Sequence, residues 1–427
     1  MRLTHIAAAG SALVFATACA GNGDGGDVDP GDAPEELTIW TMGGATEESE
    51  EFFEELRDEW SQDYPDTSLN VEYIPWDEAQ DSITNALAGG DAPDVLEAGN
   101  DQVSNWAVQG AILDLDEYVA DWDEAEDINQ EAMDYGSYEN TQYSVPLHLA
   151  VRTLIYRADW LEDLGHDAPE TWDELVEVAE DIEDEHGVLG FGAPTDFTNG
   201  IASFIWSNGG EIATSEDGAE WEGQLTDPAT VEAIEFYTDL TNDFSPVYTG
   251  ENELIAQADL ANGELGMYID GNWAFDEIAD QAEDPDMVDN LGAAPIPGVD
   301  GMAPAFAGGS NLTVFSTADD PDFAFELLST WASKDMAATW AEYTGFFPAY
   351  PELLDEPQFQ EDEVAQASAE QLENQRYFPA TPNWTDADFE GKIIPGAVLD
   401  IADGDNAEER LAEANEELTE VLNQETD

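Results

Sequence analysis

Residues 37–74 read LTIWTMGGATEESEEFFEELRDEWSQDYPDTSLNVEYI, and the order of elements in this stretch decides the fold. Leu37-Thr38-Ile39-Trp40 and Val71-Glu72-Tyr73-Ile74 have the alternation and the β-branched or aromatic content of strands, and residues 47–60 between them read as a helix. A strand, a helix and a second strand imply an α/β class with a parallel sheet and helices on its faces. The rhythm continues: residues 77–88 read as a helix that stops at Gly89-Gly90, and Asp94-Val95-Leu96-Glu97 as a short buried strand. Thr171-Trp172-Asp173-Glu174 is a capping box, because the hydroxyl and the carboxylate can each satisfy a free amide at a helix start. Leu175, Val178, Ala179 and Ile182 follow it at helical spacing, Leu265-Gly266-Met267-Tyr268-Ile269 alternates as a strand, and Leu411, Ala414, Leu418 and Val421 share one face of a C-terminal helix.

A chain of 427 residues exceeds what one hydrophobic core serves, so two domains or two interrupted lobes are expected. The charge is extreme: 100 Asp and Glu against 8 Lys and Arg give a formal net charge of -92. Disordered acidic chains are poor in aromatics, whereas this one holds 13 Trp, 13 Tyr and 18 Phe, so it must fold. Self-repulsion on that scale is largely screened at about 1 M salt, where the Debye length is about 3 Å, and a halophilic origin follows. Lysine is nearly eliminated, with only Lys334 and Lys392 left. No basic stripe exists to neutralise phosphates, which excludes nucleic acid as a partner.

Arg2 precedes an apolar run over residues 6–18, too short to span a bilayer and laid out as a secretory signal. Ala16-Thr17-Ala18-Cys19 resembles a bacterial lipobox, in which the cysteine is lipidated and becomes the new N-terminus. Cys19 is the sole cysteine, so no internal disulfide can claim it. Residues 1–19 are therefore expected to be a signal with lipobox, and residues 20–36, rich in Gly, Asp and Pro, a flexible tether.

Catalytic and cofactor signatures are absent: no phosphate-cradling Gly-Lys-Ser loop, no Gly-x-Ser-x-Gly elbow, no His-Glu-x-x-His and no cysteine pair for a metal. Neither a cofactor nor a metal is expected. Paired carboxylates for glycoside hydrolysis carry no information among 100 acids, and residues 400–405 lack the alternating oxygen ligands of a calcium loop and read as a solvated turn.

Seven segments then recur in one order. They are Leu37-Thr38-Ile39-Trp40; Gly90-Asp91-Ala92-Pro93-Asp94-Val95, with Gly110 and Leu113-Asp114-Leu115 following; and Ser144-Val145-Pro146 leading to Leu154-Ile155-Tyr156-Arg157. Thr171-Trp172-Asp173-Glu174-Leu175, Asp270-Gly271-Asn272-Trp273 and Gly308-Gly309-Ser310 complete the series. In this order they resemble the family 1 extracellular solute-binding proteins, the maltose-binding-protein-like receptors of ABC importers. The resemblance implies a two-lobed, type II periplasmic-binding-protein-like fold whose discontinuous lobes are joined by hinge strands. It divides the chain into residues 37–148 and 307–346 for one lobe and 149–306 and 347–427 for the other. Ligand would lie in the cleft, at loops following strand C-termini.

The same resemblance implies the site. Trp40 ends the first strand, Asn100, Asp101 and Gln102 would hydrogen-bond hydroxyls, and Trp273 and Trp384 would offer aromatic platforms for the apolar face of a sugar. His148 and Arg152 flank the first crossing, and Arg152 matters because surviving cations in so acidic a chain should each have a partner. Asn199, Trp206, Asp270 and Ser310 complete the candidate set, while Trp76, Trp172 and Trp331 read as core. Gly43, Gly44 and Ala45 stand where a maltose-type site carries charge, so maltodextrin specificity is not implied. The expected protein is a monomeric, lipid-anchored carbohydrate receptor at the outer face of the cytoplasmic membrane, docking on a permease and doing no covalent chemistry. The rival readings are a secreted glycoside hydrolase and a receptor for a polyamine, a peptide or a metal chelate.

Overall fold

The structure, a computed structural model, describes residues 32–89, 92–215, 218, 220–357, 359 and 363–424. The signal segment, Cys19 and residues 20–31 of the tether lie outside the described residues. The rest of the expected tether is already fastened: Thr67 Oγ1 donates to the Pro34 carbonyl at 2.6 Å, and Glu36 opens the first strand.

Two sheets carry the fold. In chain order their strands are β1 (Glu36–Met42), β2 (Ser68–Ile74), β3 (Val95–Gly99), β4 (Val145–Pro146), β5 (Arg152–Arg157), β6 (Leu189–Gly192), β7 (Leu265–Gly271), β8 (Leu291–Ala294) and β9 (Ser310–Val314). The first sheet runs β2-β1-β3-β9-β4, with β1 parallel to β2 and β3 and with β9 antiparallel to both its neighbours. The second runs β8-β5-β7-β6, with β7 parallel to β6 and with β5 antiparallel to β7 and β8.

Successive strand residues face opposite sides, and here both sides are covered. Ile39 and Val95 meet Phe52, Phe53 and Trp331 on one face of the first sheet, while Trp40 and Leu96 meet Ile83 and Trp106 on the other. In the second lobe Leu154, Met267 and Ile269 pack with Leu175, Val178 and Ile182, whereas Ile155 and Tyr268 pack with Leu260 and Ile278. The C-terminal helix Ala407–Leu422 buries Leu411, Ala414, Leu418 and Leu422 in the second lobe, and Val421, partly buried, packs against the same core. Residues 400–402, expected in a turn, instead form the last turn of helix Ile393–Ala402.

Helix Trp172–His186 shows how sequence fixes an element. Thr171 and Glu174 form the reciprocal cap, and Gly187 ends the helix at φ 70°. Thr171→Ala is expected to cost about 1 kcal/mol, read as a lowered midpoint in urea unfolding.

The chain passes between the lobes at three places. On the way out, His148–Leu149 pairs with Phe347–Pro348 and Ala150 bridges to Gly308. On the way back, Ala305–Phe306 pairs with Gln375–Arg376. These strands run so close that a Cβ on Gly309, at φ +133°, would sit 2.2 Å from the His148 carbonyl oxygen. The last passage lies beyond the expected Phe347-Pro348. Ala349, Tyr350 and Leu353 still pack in the first core, where Tyr350 donates to the Ala332 carbonyl at 2.7 Å, and the helix Glu363–Leu372 is the first element to lie against β5 and β8. Among the described residues, no helix is long and apolar enough to cross a membrane.

Candidate binding cleft between the lobes

Strand direction places the site. The C-terminal ends of β3, β6 and β7 lead into Asn100-Asp101-Gln102, Asp196-Phe197 and Asn272-Trp273, the edge where open α/β sheets hold ligands. The lobes touch there. Tyr135, from the first lobe, meets Tyr377, from the second, at 4.3 Å between ring centroids, the rings tilted by 33°. Phe346 lies parallel to His148 at 4.1 Å and 5.9 Å from Trp273, and Asn272 Nδ2 donates to the Gly345 carbonyl at 2.5 Å.

Arg152, the first residue of β5, stands at the centre. Its guanidinium carbon lies 5.3 Å from the Trp273 ring and 5.4 Å from the Phe197 ring, close enough for cation–π attraction to both. Its Nη2 reaches Glu253 Oε1 at 3.5 Å, and its Nε is buried without a protein partner.

Carboxylates gather round this cation, and Lys392, paired with Asp196, is a second cation beside Asp388. Asp270 is 2% exposed, accepting from its neighbour Gly271 N at 2.8 Å and from Tyr268 OH at 3.2 Å. Burial pushes its pKa up to about 7, with the Arg152 charge opposing the rise. Burial likewise pushes Asp101 up to about 6, again against Arg152. Asp388 accepts from Thr198 Oγ1 at 2.5 Å, and burial, with Asp101 and Asp196 nearby, pushes it up to about 7. Acids from both lobes therefore sit close to neutrality, able to accept a hydrogen bond when ionised or donate one when protonated.

His148 takes no part as a charge. Burial pushes its pKa down to about 3, and Trp340 Nε1 donates to its Nδ1 at 3.1 Å. An indole N–H can only donate, so the ring is neutral with its proton on Nε2.

Of the expected site residues, the structure brings Asp101, His148, Arg152, Asp270 and Trp273 together. Asn199, partly exposed, lies in the first turn of helix Thr198–Ser207, next in the chain to Thr198. The others are corrections. Trp40 is 8% exposed inside the first lobe, packed with Leu96, Ile83 and Trp106, and β1 continues two residues past it to Met42. Trp384 is 1% exposed in the second core, stacked on Phe378 at 4.7 Å. Asn100 serves the crossing, donating from Nδ2 to the Ala307 carbonyl at 2.9 Å. Ser310 is 1% exposed and hydrogen-bonds Glu97, a buried carboxylate that also accepts from Thr41 and Met42. Gln102 folds back over Gly99, and Trp206 packs beside Phe378. Trp76, expected in the core, is 51% exposed at the end of β2.

Sequence reasoning missed Phe197, Tyr135, Tyr377, Phe346 and Asp388. Phe197 had a usable signal, since it follows the end of a parallel strand. Asp388 and the 53% exposed Phe389 lie on a π-helical segment, Asp386–Glu390, a distortion frequent at functional sites and not marked by any residue pattern. Among the described residues, no group of His, Cys, Asp and Glu is arranged to hold a metal ion.

Comparison with known proteins agrees with this architecture. The profile of the family described as bacterial extracellular solute-binding protein matches residues 44–338. The diacetylchitobiose-binding protein DasA of Streptomyces coelicolor is 27% identical over 408 residues, 90% of either chain. The arabinooligosaccharide-binding protein of Halalkalibacterium halodurans is 25% identical over 348 residues, 77% of this chain and 74% of that one. A solute-binding protein of an ABC transporter from Thermotoga lettingae, solved with α-D-tagatose, is 24% identical and has a TM-score of 0.79, covering 91% of this chain and 100% of that one. That likeness shows the fold.

Proposed function

Since the chain belongs to the bacterial extracellular solute-binding protein family, we propose that it is the receptor of an ABC sugar importer, closing on a neutral carbohydrate and handing it to the permease. The observation that carries this reading is the cleft itself. Trp273 and Phe197 border a polar centre of Arg152, Asp101, Asp270 and Asp388. Flat rings suit the apolar C–H face of a sugar, and a ring of carboxyl and guanidinium groups suits its hydroxyls. The three relatives bind a disaccharide, an oligosaccharide and a monosaccharide respectively, which supports the ligand class and leaves the chain length open.

The remaining parts of the reading rest on sequence. Cys19 would carry the lipid anchor at the outer membrane face, residues 20–31 would tether the body, and the acidic surface would suit brine. In this reading the protein is a monomer, and binding shifts it to the closed state because ligand contacts both lobes only there.

Calorimetry at about 1 M salt against a panel of sugars tests the proposal. A sugar should bind reversibly, and Trp273→Ala should weaken it about tenfold by removing one aromatic wall. The acids flanking the cleft make a hydrolase the reading to exclude, so the bound sugar is recovered and sized afterwards; cleavage products would replace the receptor with an enzyme. Binding of spermidine in place of every sugar would show that the acids serve a polycation.

A further inference from the structure

Trp273 is not held by its own core alone. It packs there only in part, and its ring folds back over the end of β7, where a Cβ on Gly271 would sit 2.0 Å from the indole. The three atoms nearest that Cβ all belong to the indole, and Gly271 is not at positive φ. What residue 271 must supply is therefore a bare Cα under the ring, not an unusual backbone.

Further support comes from the other lobe. Helix Lys334–Thr344 ends at Gly345, φ 72°, and the turn after it brings Phe346 to 5.9 Å from Trp273, the rings tilted by 40°. Asn272 Nδ2 donates to the Gly345 carbonyl at 2.5 Å, so this turn meets two consecutive residues of the second lobe. Phe346 is itself backed by His148, whose ring lies 4.1 Å away with 6° between the planes. His148 is fixed in turn by the N–H of Trp340, which packs edge-on against Phe52 in the first core at 4.7 Å. Trp340, His148, Phe346 and Trp273 thus form a file of four rings from the first core, past the hinge, to the cleft. Side chains locked by such a supporting shell hold a binding group in one pose.

We propose that Phe346 is a positioning residue that sets the pose of Trp273 from across the cleft, so that closing the lobes and completing the sugar platform are one event. The contacts that form only when the lobes meet then add to the ligand's preference for the closed state. The effect on affinity rests on the carbohydrate reading above, whereas the ring contact does not depend on which solute binds.

The test is calorimetry of the full chain at about 1 M salt with diacetylchitobiose, maltotriose and lactose as probes, followed by variants against whichever binds. Phe346→Ala should weaken binding about fivefold, and the double variant with Trp273→Ala should lose no more than Trp273→Ala alone, because Phe346 acts through that ring. Gly271→Ala should lose about as much as Trp273→Ala, about tenfold, by pushing the indole off its seat. Losses that multiply in the double variant, or full affinity in Gly271→Ala, overturn the proposal. A second readout needs no ligand: in protein labelled with fluorotryptophan, the fluorine resonance that Trp273→Phe removes should shift or broaden in Phe346→Leu, while those of Trp106 and Trp384 stay. Phe346→Leu keeps the apolar bulk and serves in both measurements should the alanine variant fail to fold. An unmoved Trp273 resonance overturns the proposal. If no sugar binds, the carbohydrate reading falls, and this resonance alone decides whether Phe346 sets the ring.

Discussion

Arg152→Met lowers folding stability by about 3 kcal/mol above neutral pH and by much less near about pH 5, as read by urea unfolding at constant high salt. Burial already raises the Asp270 pKa to about 7, far above its unfolded value, and Arg152 opposes the rise most, ahead of the hydrogen bonds from Gly271 N and Tyr268 OH. Between those two values the folded state holds a proton that the unfolded state has released, so stability falls as pH climbs through this window. Without Arg152 the folded value moves higher still. Ionised Asp270 then stands buried with no cation, a cost that appears only at pH values where the native protein would have ionised it. At low pH both proteins carry the neutral acid and differ little. Ligand affinity should fall about a hundredfold in the same variant, because charge-assisted hydrogen bonds from the guanidinium are lost as well. Equal losses of stability at both pH values would break the link to Asp270.

Dilution into about 0.01 M salt should remove the entire folding stability, typically about 5–15 kcal/mol, as the Debye length grows from about 3 Å to about 30 Å. The chain has no reserve of cations to offset its net charge of -92. Among the described residues, Arg152, Arg157, Lys334, Arg376, Lys392 and Arg410 each already pair with an acid, and Arg57 donates to the Leu69 carbonyl. Circular dichroism should show the loss, with recovery on adding salt and none on adding an uncharged osmolyte at matched osmolality. A native spectrum in dilute buffer would remove the case for a brine-adapted fold.

The fold was legible because its elements are written locally. The alternation of Leu37 to Trp40, the cap at Thr171 and the spacing of Leu175 to Ile182 each depend on near neighbours, and the structure keeps them. The order of matching segments then pointed to two lobes. The site was less legible because a strand tryptophan looks the same whether its face meets solvent, a cleft or a helix. Trp40 and Trp384 lie inside their cores, whereas Trp273, two residues past the end of β7, packs against its core only in part and lies beside Arg152. Tyr135 and Tyr377 meet across 242 positions of chain, a pairing that no local pattern announces. Asp388 reads as one more acid among 100 until the fold buries it against Thr198.

The position of β9 has a consequence for the growing polypeptide. It fills the middle of the first sheet, between β3 and β4, yet it is encoded after all four strands of its neighbour's sheet. Until residues 310–314 emerge, the nascent molecule carries an open seam with the β3 edge unpaired, exposed to wrong partners and dependent on late, long-range closure. A ribosome-bound fragment stopped short of that strand should remain protease-sensitive throughout its first 150 residues, whatever helices it has already formed.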